Sequence, residues 1–482
     1  MKDNKSKMMM FAIGTSLLGA CTFGPEYKRP DVQTPAAYKE TADWKLAEPR
    51  DELARGKWWK IFADSELDGL IEQVNVSNQS LKVSEARYRQ AQALVQSARA
   101  SYLPTISANA SSTRSRSGSA RSAGGNDIAT NHNLGLSAGW ELDVWGRIRR
   151  TVESNDANAQ ASAADLEAAR LSLQSELAAS YFQLRVNDAQ KQLFDDTITA
   201  YEKSLELTRN RYTVGVVGKV DVVQAETQLL SARAQAIDLG VQRAQLEHAI
   251  AVLIGKPPTG FSIANIESNV SANVDWKVVL PTFPVGLPST LLERRPDIAA
   301  AERRAASANA QIGVAKAAYF PTLSLSASGG FSSSTLANWI SAPNRFWSLG
   351  PSLAETLFDF GKRGALSDQA VAVYDQAVAT YRLTVLDAFQ DVEDNVAALR
   401  ILEQEATVQA EAVRAARESV ALTINQYKAG TISYLSVVTV QTALLSNERT
   451  SVGLLGRRLS ATVGLVRALG GGWSAADLVA VK

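Results

Sequence analysis

The chain has 482 residues, which is long for one domain and leaves room for several hydrophobic cores. Hydrophobic residues make up 46% of it, a share that excludes both a disordered chain and a multi-span helical membrane protein. Because 50 Lys and Arg residues nearly balance 49 Asp and Glu residues, no excess positive charge favours binding to nucleic acid.

The amino terminus has the three parts of a bacterial secretion signal. Several lysines precede an apolar run at residues 8–18, and small residues come directly before Cys21. The run of about 11 residues is too short to span a bilayer, which takes roughly 20. We therefore predict a lipoprotein signal peptide at residues 1–20.

Cys21 is the only cysteine in the chain, so it cannot form an internal disulfide. It follows Leu18-Gly19-Ala20, which matches the lipobox and predicts that Cys21 carries covalent S-diacylglycerol and N-acyl lipid. Two or three acyl chains give stable membrane anchoring. Thr22 stands where aspartate typically retains lipoproteins at the inner membrane, which favours the outer membrane. The alternative is an incidental cysteine inside a cleaved signal.

The rest of the sequence contains an internal repeat. Three landmarks return in the same order about 215 residues later, which indicates two structural units of the same kind. We predict a first repeat at 65–285 and a second at 286–470, between an amino-terminal segment at 21–64 and a tail at 471–482. The landmark pairs are Tyr102-Leu103-Pro104 with Tyr319-Phe320-Pro321, Trp145-Gly146-Arg147 with Phe360-Gly361-Lys362, and Tyr212-Thr213-Val214-Gly215 with Tyr427-Lys428-Ala429-Gly430.

Each repeat is predicted to begin with a helix, at 65–101 in the first copy and at 296–318 in the second. Pro296 suits the first turn of the second helix, where its missing N–H is no loss. Pro104 and Pro321 end the two helices because proline cannot continue them.

Two strands are predicted to follow in each repeat. Residues 132–143 and 323–331 alternate between apolar and polar side chains, the pattern of a strand with one face of each kind. Weaker candidates lie at 106–112 and 347–357, and Pro351 in the latter suits only an edge or a bulge. Polar loops are predicted at 111–130 and 332–345.

Very long helices are predicted after the strands. They cover 147–211 and 220–253 in the first repeat and about 362–426 and the stretch to 469 in the second, without any proline. About 60 helical residues extend ~90 Å, so such helices need neighbours along their length, as coiled coils do. The alternative is an ordinary helical bundle.

Two strands per repeat give four strands per chain, and four strands cannot close a barrel. An apolar face in lipid requires every backbone group to be paired, so the sheet can have no open edge there. Three copies would supply 12 strands, an even number within the range of outer-membrane barrels. A soluble β-sandwich with added helices is the competing interpretation, and it explains neither the lipobox nor the twin strand pairs.

Several short motifs in this order resemble the TolC-like outer membrane factor family, in its branch of OprM/NodT-type efflux lipoproteins. The resemblance covers nearly the whole mature chain. It implies a trimeric 12-stranded outer-membrane β-barrel continued by a periplasmic α-helical barrel of long hairpins, with a mixed equatorial region at 255–290 plus the termini. The motifs are Gly24-Pro25-Glu26-Tyr27-Lys28-Arg29-Pro30, Trp58-Trp59 with Phe62 and Asp64, Asn78-Gln79-Ser80-Leu81, Leu287-Pro288, Arg294-Arg295-Pro296-Asp297 and Tyr319-Phe320-Pro321.

The resemblance also implies a function, a location and partners. A homotrimer of this family is a passive exit duct, embedded in outer-membrane lipid, for substrates passed on by an inner-membrane transporter of the RND type and a periplasmic adaptor. The alternative is a periplasmic lipoprotein adaptor or scaffold without a pore. That alternative predicts one hairpin and a lipoyl-like β domain, whereas this sequence predicts two hairpins and two strand pairs.

The tips of the helical hairpins are where this family docks its adaptor. Glycine in such a reversal supplies positive φ and close approach, so the alternative is that the glycines only form turns. The adaptor-binding residues implied here are Tyr212, Gly215, Val216, Tyr427, Gly430 and Thr431.

The family resemblance also implies an aperture gate near the tips. Ser436 and Thr439 occupy positions that are often acidic in the family. A common lock joins an aspartate to a tyrosine and an arginine; Asp221 and Tyr427 match, but Ile432 stands at the arginine position. The sequence thus allows either an Asp221–Tyr427 hydrogen bond or an Asp221 that merely caps a helix.

Residues for chemistry are sparse in this sequence. The two histidines, His132 and His248, lie in different predicted elements and have no cysteine partner, which gives no support for a metal site. No nucleophile and histidine form a recognisable arrangement, and no glycine loop for phosphate is present. We predict no catalytic residue, no metal and no cofactor apart from the lipid on Cys21.

Overall fold

The computed structural model describes residues 23–35, 37–41, 57–116, 128–264 and 291–474. The predicted signal peptide, Cys21, the part of the predicted equatorial region at 265–290 and the end of the tail lie outside these residues. The chain forms two compact units. The sheet unit takes its described residues from Met1–Asp31, Arg87–Ala163 and Ala300–Arg382, and the hairpin unit from Val32–Ala86, Ala164–Ala299 and Leu383–Lys482.

Both units combine segments from the two sequence repeats, whose elements follow one order. The helices are α1 (Ser65–Ser77), α2 (Gln79–Ala100), α3 (Arg147–Thr213), α4 (Lys219–Leu253), α5 (Leu291–Arg294), α6 (Pro296–Ala317), α7 (Lys362–Lys428) and α8 (Tyr434–Ala468). The strands are β1 (Thr105–Arg116), β2 (Ile128–Glu141), β3 (Thr322–Ser333) and β4 (Arg345–Ala354). Short 3₁₀-helices lie at Lys39–Thr41, Trp58–Phe62, Pro258–Gly260 and Ala342–Asn344.

The four strands form one antiparallel sheet in the order β1-β2-β3-β4. Its central pairing, β2 with β3, joins the first repeat to the second. β1 and β4 are therefore the two edges of the sheet, each with one row of backbone groups that no strand among the described residues pairs.

The predicted strand boundaries need correction at both edges. β1 continues to Arg116, past the predicted end at residue 112, because its polar second half pairs with the start of β2 from Ile128 onward. β4 ends at Ala354, so residues 355–357 of the predicted strand are not part of the sheet.

Pro351 lies within β4 and is accommodated by the edge position. The N–H of Leu142 donates to the carbonyl of Leu323, and this bond shows which residues of β3 direct their backbone N–H and C=O groups toward β2. These groups alternate in direction along a strand, so those of Leu325 also point toward β2. Pro351 stands opposite Leu325, so its nitrogen, which has no hydrogen, faces the free side of β4.

The predicted single helix at 65–101 is wrong, since the structure divides it at Asn78. This residue has an extended ψ of 126°, and its Oδ1 accepts the Leu81 N–H at 2.9 Å as the cap of α2. Its Nδ2 donates to the Leu253 carbonyl at 2.7 Å, at the end of α4. The buried Asn78 side chain therefore forms hydrogen bonds with the start of α2 and the end of α4, and the chain breaks its helix at this residue.

The long helices of the two repeats match in length. α3 and α7 each have 67 residues, and α4 and α8 each have 35. A helix of 67 residues extends ~100 Å, so the predicted pair of long hairpins is confirmed. Within the described residues, none of the helices is long and apolar enough to cross a membrane.

Aromatic residues form part of one hydrophobic core of the hairpin unit. Trp58 and Trp59 are fully buried beside Phe62 and Phe182. The indole N–H of Trp58 donates to Gln174 Oε1 at 3.1 Å, so the buried polar group of this large ring is satisfied. These contacts explain why a tryptophan pair precedes the first helix.

Candidate functional site

The register of the sheet separates polar and apolar side chains onto opposite faces. One row across the four strands consists of Ser107, Ser137, Ser328 and Ser348. Successive residues of a strand point to opposite faces, so the neighbouring row lies on the other side. That row is Ile106, Ala138, Ala327 and Leu349.

The apolar face carries large side chains that none of the described residues covers. A continuous exposed apolar surface of this kind marks contact with a membrane or a partner. Lipid-facing and lumen-facing residues alternate in outer-membrane barrels, and these two faces fit that division. The exposed members are Ile106, Leu136, Trp347, Leu349 and Leu353.

Both hairpin tips reverse the chain by the same hydrogen-bonded turn. Gly215 has a φ of +77°, and its N–H donates to Tyr212 O while the N–H of Val216 donates to Arg211 O. At the second tip Gly430 has a φ of +79° and the same two bonds recur. This is a Schellman turn, which requires a left-handed residue and explains the glycines.

Tyr212 and Tyr427 hold equivalent positions in the two repeats but have different environments in the structure. Tyr212 is 44% exposed, whereas Tyr427 is 2% exposed and packs its ring edge against Tyr434, with 5.4 Å between ring centroids. The Tyr427 hydroxyl lies 3.4 Å from Thr208 Oγ1. Tyr427 is therefore a core residue of the tip, while Tyr212, Gly215, Val216, Gly430 and Thr431 are on the surface.

Arg211 binds the end of the opposite hairpin, a contact that we call the Arg211 clamp. Its guanidinium donates from Nη1 to the carbonyls of Tyr427 at 2.5 Å and Lys428 at 3.1 Å. It also lies over the Tyr427 ring, 4.7 Å from the centroid. A cation at the carboxyl end of α7 offsets the negative end of its helix dipole.

Asp221 occupies neither of the positions that the sequence allows. Gly218 is the N-cap of α4, so Asp221 lies in the first turn and is not the helix cap. Among the described residues, the hydroxyl of Tyr427 is bonded to Thr208 and not to Asp221. Burial raises the pKa of Tyr434, and the charges of Tyr427, Tyr201 and Asp221 contribute in the same direction.

The remaining gate candidates lie on α8. Ser436 is half-buried in the first turn of this helix. Thr439 is exposed, and its hydroxyl donates to Leu435 O at 2.9 Å. The role of Ser436 and Thr439 in a gate stays a prediction.

The sequence alone does not reveal Arg211, because its partners are far away in the chain. A basic residue in the last turn is expected to stabilise its own helix end. Here the last turn of α3 instead supplies a cation to the end of α7, in the other hairpin. The sequence offers one hint, a difference between the repeats: the residue equivalent to Arg211 in the second repeat is the uncharged Gln426.

The segment that follows the predicted lipid anchor is fixed to the sheet unit. Tyr27 donates its hydroxyl to Glu302 Oε1 at 2.6 Å, and burial together with this carboxylate raises the pKa of Tyr27. Arg29 Nε lies 3.1 Å from Tyr381 Oη. Asn309 Nδ2 donates to Pro25 O at 3.0 Å. The motif at residues 24–30 is thus a strap with specific partners.

No arrangement for metal chemistry emerges from the part of the chain that the structure describes. There, no three side chains of His, Cys, Asp or Glu come together to hold an ion. His132 lies in β2 with its ring 5.8 Å from that of Trp339, and His248 lies on α4.

Comparison with known proteins gives one consistent result. The family described as outer membrane efflux protein matches residues 70–256 and 287–471, one segment in each repeat. The probable efflux pump outer membrane protein TtgC of Pseudomonas putida is 31% identical over 470 residues, covering 97% of this chain and 96% of that protein. The pyoverdine export outer membrane protein OpmQ of Pseudomonas aeruginosa is 32% identical over 464 residues, covering 95% of each. The solved outer-membrane channel OprN is 31% identical and superposes with a TM-score of 0.86, over 94% of this chain and 100% of that one.

Proposed function

The chain belongs to the outer membrane efflux protein family, and from that premise we propose that three copies form one passive exit duct. It is an outer-membrane efflux channel of a Gram-negative bacterium and extends into the periplasm. The predicted fold class is confirmed: an α+β membrane protein with four strands per chain, long helical hairpins and two repeats. The alternative of a scaffold without a pore gains no support from these relatives.

The open four-stranded sheet is the observation that carries the proposal. The apolar face of the sheet belongs in the hydrocarbon of a membrane, where unpaired backbone groups are costly. The edge strands β1 and β4 nevertheless each leave a row of backbone groups unpaired within the described residues. All three strand pairings are antiparallel, so β4 runs opposite to β1, and β1 of a second copy rotated about the barrel axis meets β4 in the antiparallel sense. Three copies then close a 12-stranded barrel in which no edge is left.

The interior of this barrel is suited to water and dissolved cargo. The polar row of serines faces inward once the apolar face meets lipid, and each copy repeats that row. Hydroxyl groups form hydrogen bonds with water without fixed charge, so they give a passage with little electrostatic selectivity. The family consists of channels and not of enzymes, and we propose that no residue of this chain is catalytic.

The partners follow from family membership. A channel of a tripartite efflux pump works with a periplasmic adaptor and an inner-membrane transporter, and we propose a transporter of the RND type. The exposed tips are the docking surface that we propose for the adaptor, with apolar Val216 and the neighbouring Val214 both exposed. Tyr427 supports this surface from the core instead of contacting the adaptor itself.

The lipid anchor is a further part of the proposal. Cys21 lies shortly before the strap that Tyr27 and Arg29 tie to the sheet unit. The strap joins residues that follow Cys21 in the sequence to the unit whose sheet, in this proposal, enters the membrane. Lipidation at Cys21 therefore fits the position of the strap.

The closed aperture, in our proposal, depends on the Arg211 clamp more than on Asp221. Arg211 connects the end of α3 to the end of α7, so the two hairpins cannot part at the tips while it is bound. It supplies the cation that the sequence lacks at Ile432. Ser436 and Thr439 narrow the aperture without charge.

The test is the ionic conductance of the purified, detergent-extracted protein in a planar lipid bilayer. We expect discrete steps of uniform size, because a closed barrel gives one pore per assembly. Steps should also follow addition to the membrane without nucleotide or any transporter. A preparation that inserts into the bilayer and conducts no ions would overturn the proposal.

A further inference from the structure

The apolar face of the sheet, which we call the outward face, also carries positive charge. The register of β1 and of β4 runs without a break, so every second residue of each strand has its side chain on this face. Counted from Ile106, the outward face of β1 includes Arg114 and Arg116. Counted from Leu349, that of β4 includes Arg345. Three exposed arginines therefore share a face with the residues that we place against lipid.

All three arginines lie toward one end of the sheet, which we call the loop end. At this end β1 leads into β2, and β3 leads into β4. The other end of the sheet continues into the helices α2, α3, α6 and α7. Because the channel extends into the periplasm, the loop end is the end that reaches the outer leaflet of the membrane.

The positive charge of the loop end has no counterpart in the sheet. The whole chain is almost neutral, with 50 basic and 49 acidic residues. The four strands contain a single carboxylate, Glu141, which lies at the opposite end and is paired with Arg147. Within the described residues, Arg114, Arg116 and Arg345 have no ion-pair partner. These three cations thus need an anion from outside the chain.

The distance along the sheet places the arginines at the edge of the hydrocarbon layer. An outer-membrane barrel has an apolar band about 25 Å tall, which a tilted strand crosses in roughly ten residues. Trp140 lies on the outward face near the helices, where its indole N–H donates to Tyr102 O at 2.9 Å. Arg114 pairs with Thr130, ten residues from Trp140 along β2. A band that begins at Trp140 therefore ends at Arg114.

A second tryptophan independently marks the same level. The ring of Trp339, from the loop at 334–344, lies on His132 with 5.8 Å between ring centroids. His132 is on the outward face, two residues from Thr130, and is 7% exposed. Tryptophan is enriched at membrane–water interfaces, where its ring meets lipid headgroups. Trp140 and Trp339 thus lie at the two limits of the apolar band, and the arginines lie at the limit that Trp339 marks.

We propose that Arg114, Arg116 and Arg345 bind the phosphate groups of a phosphorylated glycolipid of the outer leaflet, whose acyl chains lie along the apolar face. A guanidinium binds phosphate through two parallel hydrogen bonds. An arginine in the middle of the hydrocarbon is destabilising, but that cost falls close to zero at the interface. A membrane lipid, and not free phosphate, is the occupant because the cations border an exposed apolar surface.

The site combines two copies of the chain, so this inference rests on the proposed channel of three chains. Within one chain, β2 and β3 separate β1 from β4, and strand spacings of about 4.8 Å put these two edges ~14 Å apart. In the closed barrel β4 of one copy is next to β1 of another. Arg345 is then a single strand spacing from the strand that carries Arg114 and Arg116. A trimer has three such sites.

Native mass spectrometry of the detergent-extracted trimer, titrated with diphosphoryl lipid A, tests the site. We expect up to three lipid A molecules per trimer, and far weaker retention of the same lipid after its phosphates are removed. One arginine near a membrane surface raises the affinity for anionic lipid about fivefold. Arg114→Gln, Arg116→Gln and Arg345→Gln together should therefore lower the affinity on the order of 100-fold.

Matched variants separate phosphate binding from general effects of charge and folding. Arg89→Gln removes another exposed arginine of the sheet unit, on α2, and should leave lipid A binding unchanged. Replacing the three arginines by lysine keeps the charge without the fork of donors, and should give an intermediate affinity. The same spectra report whether each variant is trimeric. If the triple glutamine variant does not assemble, the three single variants, each expected to bind about fivefold more weakly, decide the question.

Two results would contradict the lipid site. One is equal retention of lipid A with and without its phosphates, which would mean that the acyl chains alone bind. The other is a trimeric triple glutamine variant that binds lipid A as tightly as the unsubstituted protein. Bilayer conductance of the same preparations keeps the two proposals apart. A protein that conducts but shows no phosphate-dependent binding refutes the lipid site alone, whereas a protein that inserts and conducts no ions refutes the channel.

Discussion

Gly330→Ala is expected to abolish channel assembly. Gly330 lies opposite Gly135 in the seam between β2 and β3. A Cβ atom there would stand 2.1 Å from Leu134 O and 2.6 Å from Gly135 Cα. Overpacking costs about 1–3 kcal/mol where side chains can shift, but here the atoms in the way are backbone atoms of the paired strand. The seam must open, and the loss of its hydrogen bonds adds to the cost.

Gly139→Ala is the matched control for this variant. Gly139 lies in β2, and no heavy atom outside its chain neighbours would come within 4 Å of its added Cβ. We expect Gly139→Ala to give trimers and conductance like those of the unsubstituted protein, and Gly330→Ala to give neither. The amount of heat-stable trimer in outer-membrane fractions is the measurement. A Gly330→Ala protein that assembles in normal amount would contradict the seam described here.

Arg211→Ala is expected to raise the open probability and the mean conductance of single channels. The variant removes a cation from the carboxyl end of α7 and from the face of Tyr427. A charge at a helix end and a cation over an aromatic ring together contribute about 2 kcal/mol. A change of ~1.4 kcal/mol alters an equilibrium tenfold, so opening should increase by more than that.

Three variants separate the effect of the Arg211 clamp from the effects of other charged residues near the tips. Arg209→Ala removes an exposed arginine of the same helix whose partner, Glu226, is 3.7 Å away, and it should leave conductance unchanged. Arg211→Lys keeps the charge but not the fork of donors, and should restore closure only in part. Asp221→Ala tests the sequence-based lock. An increase in Asp221→Ala with none in Arg211→Ala would assign the gate to Asp221.

Much of this fold is predictable from the sequence because its main signals are long and repeated. Side chains that alternate over a whole strand identify β2 and β3 without ambiguity. A helix as long as α3 can be predicted from a long stretch without proline in which the helical pattern of side chains is sustained. The repeat then predicts the second copy of each element, so the matched lengths of the hairpins are confirmed.

The details that the sequence does not predict depend on contacts between distant residues. Asn78 looks like one more residue of a helix, but its side chain serves α2 and the end of α4 together. The second half of β1 is a run of Ser, Thr and Arg that reads as a loop, and only its pairing with β2 makes it a strand. In such segments the pairing with a neighbouring strand, and not the intrinsic strand propensity of the residues, decides the structure.

The candidate site was predictable in the same uneven way. The tip glycines follow from a rule of helix ends, and the structure gives both the expected positive φ. The burial of Tyr427 and the Arg211 clamp depend on how two hairpins pack, which no local pattern shows. Tyr212 and Tyr427 hold the same place in the two repeats and differ only in that packing.

The number of chains in one conducting particle tests the central claim most directly. Native mass measurement of the detergent-extracted protein, on the same preparation that conducts in bilayers, supplies that number. We predict three chains per particle and no conductance from any smaller species, since four strands leave two open edges. A conducting particle with one or two chains would contradict the account, because its sheet could not close.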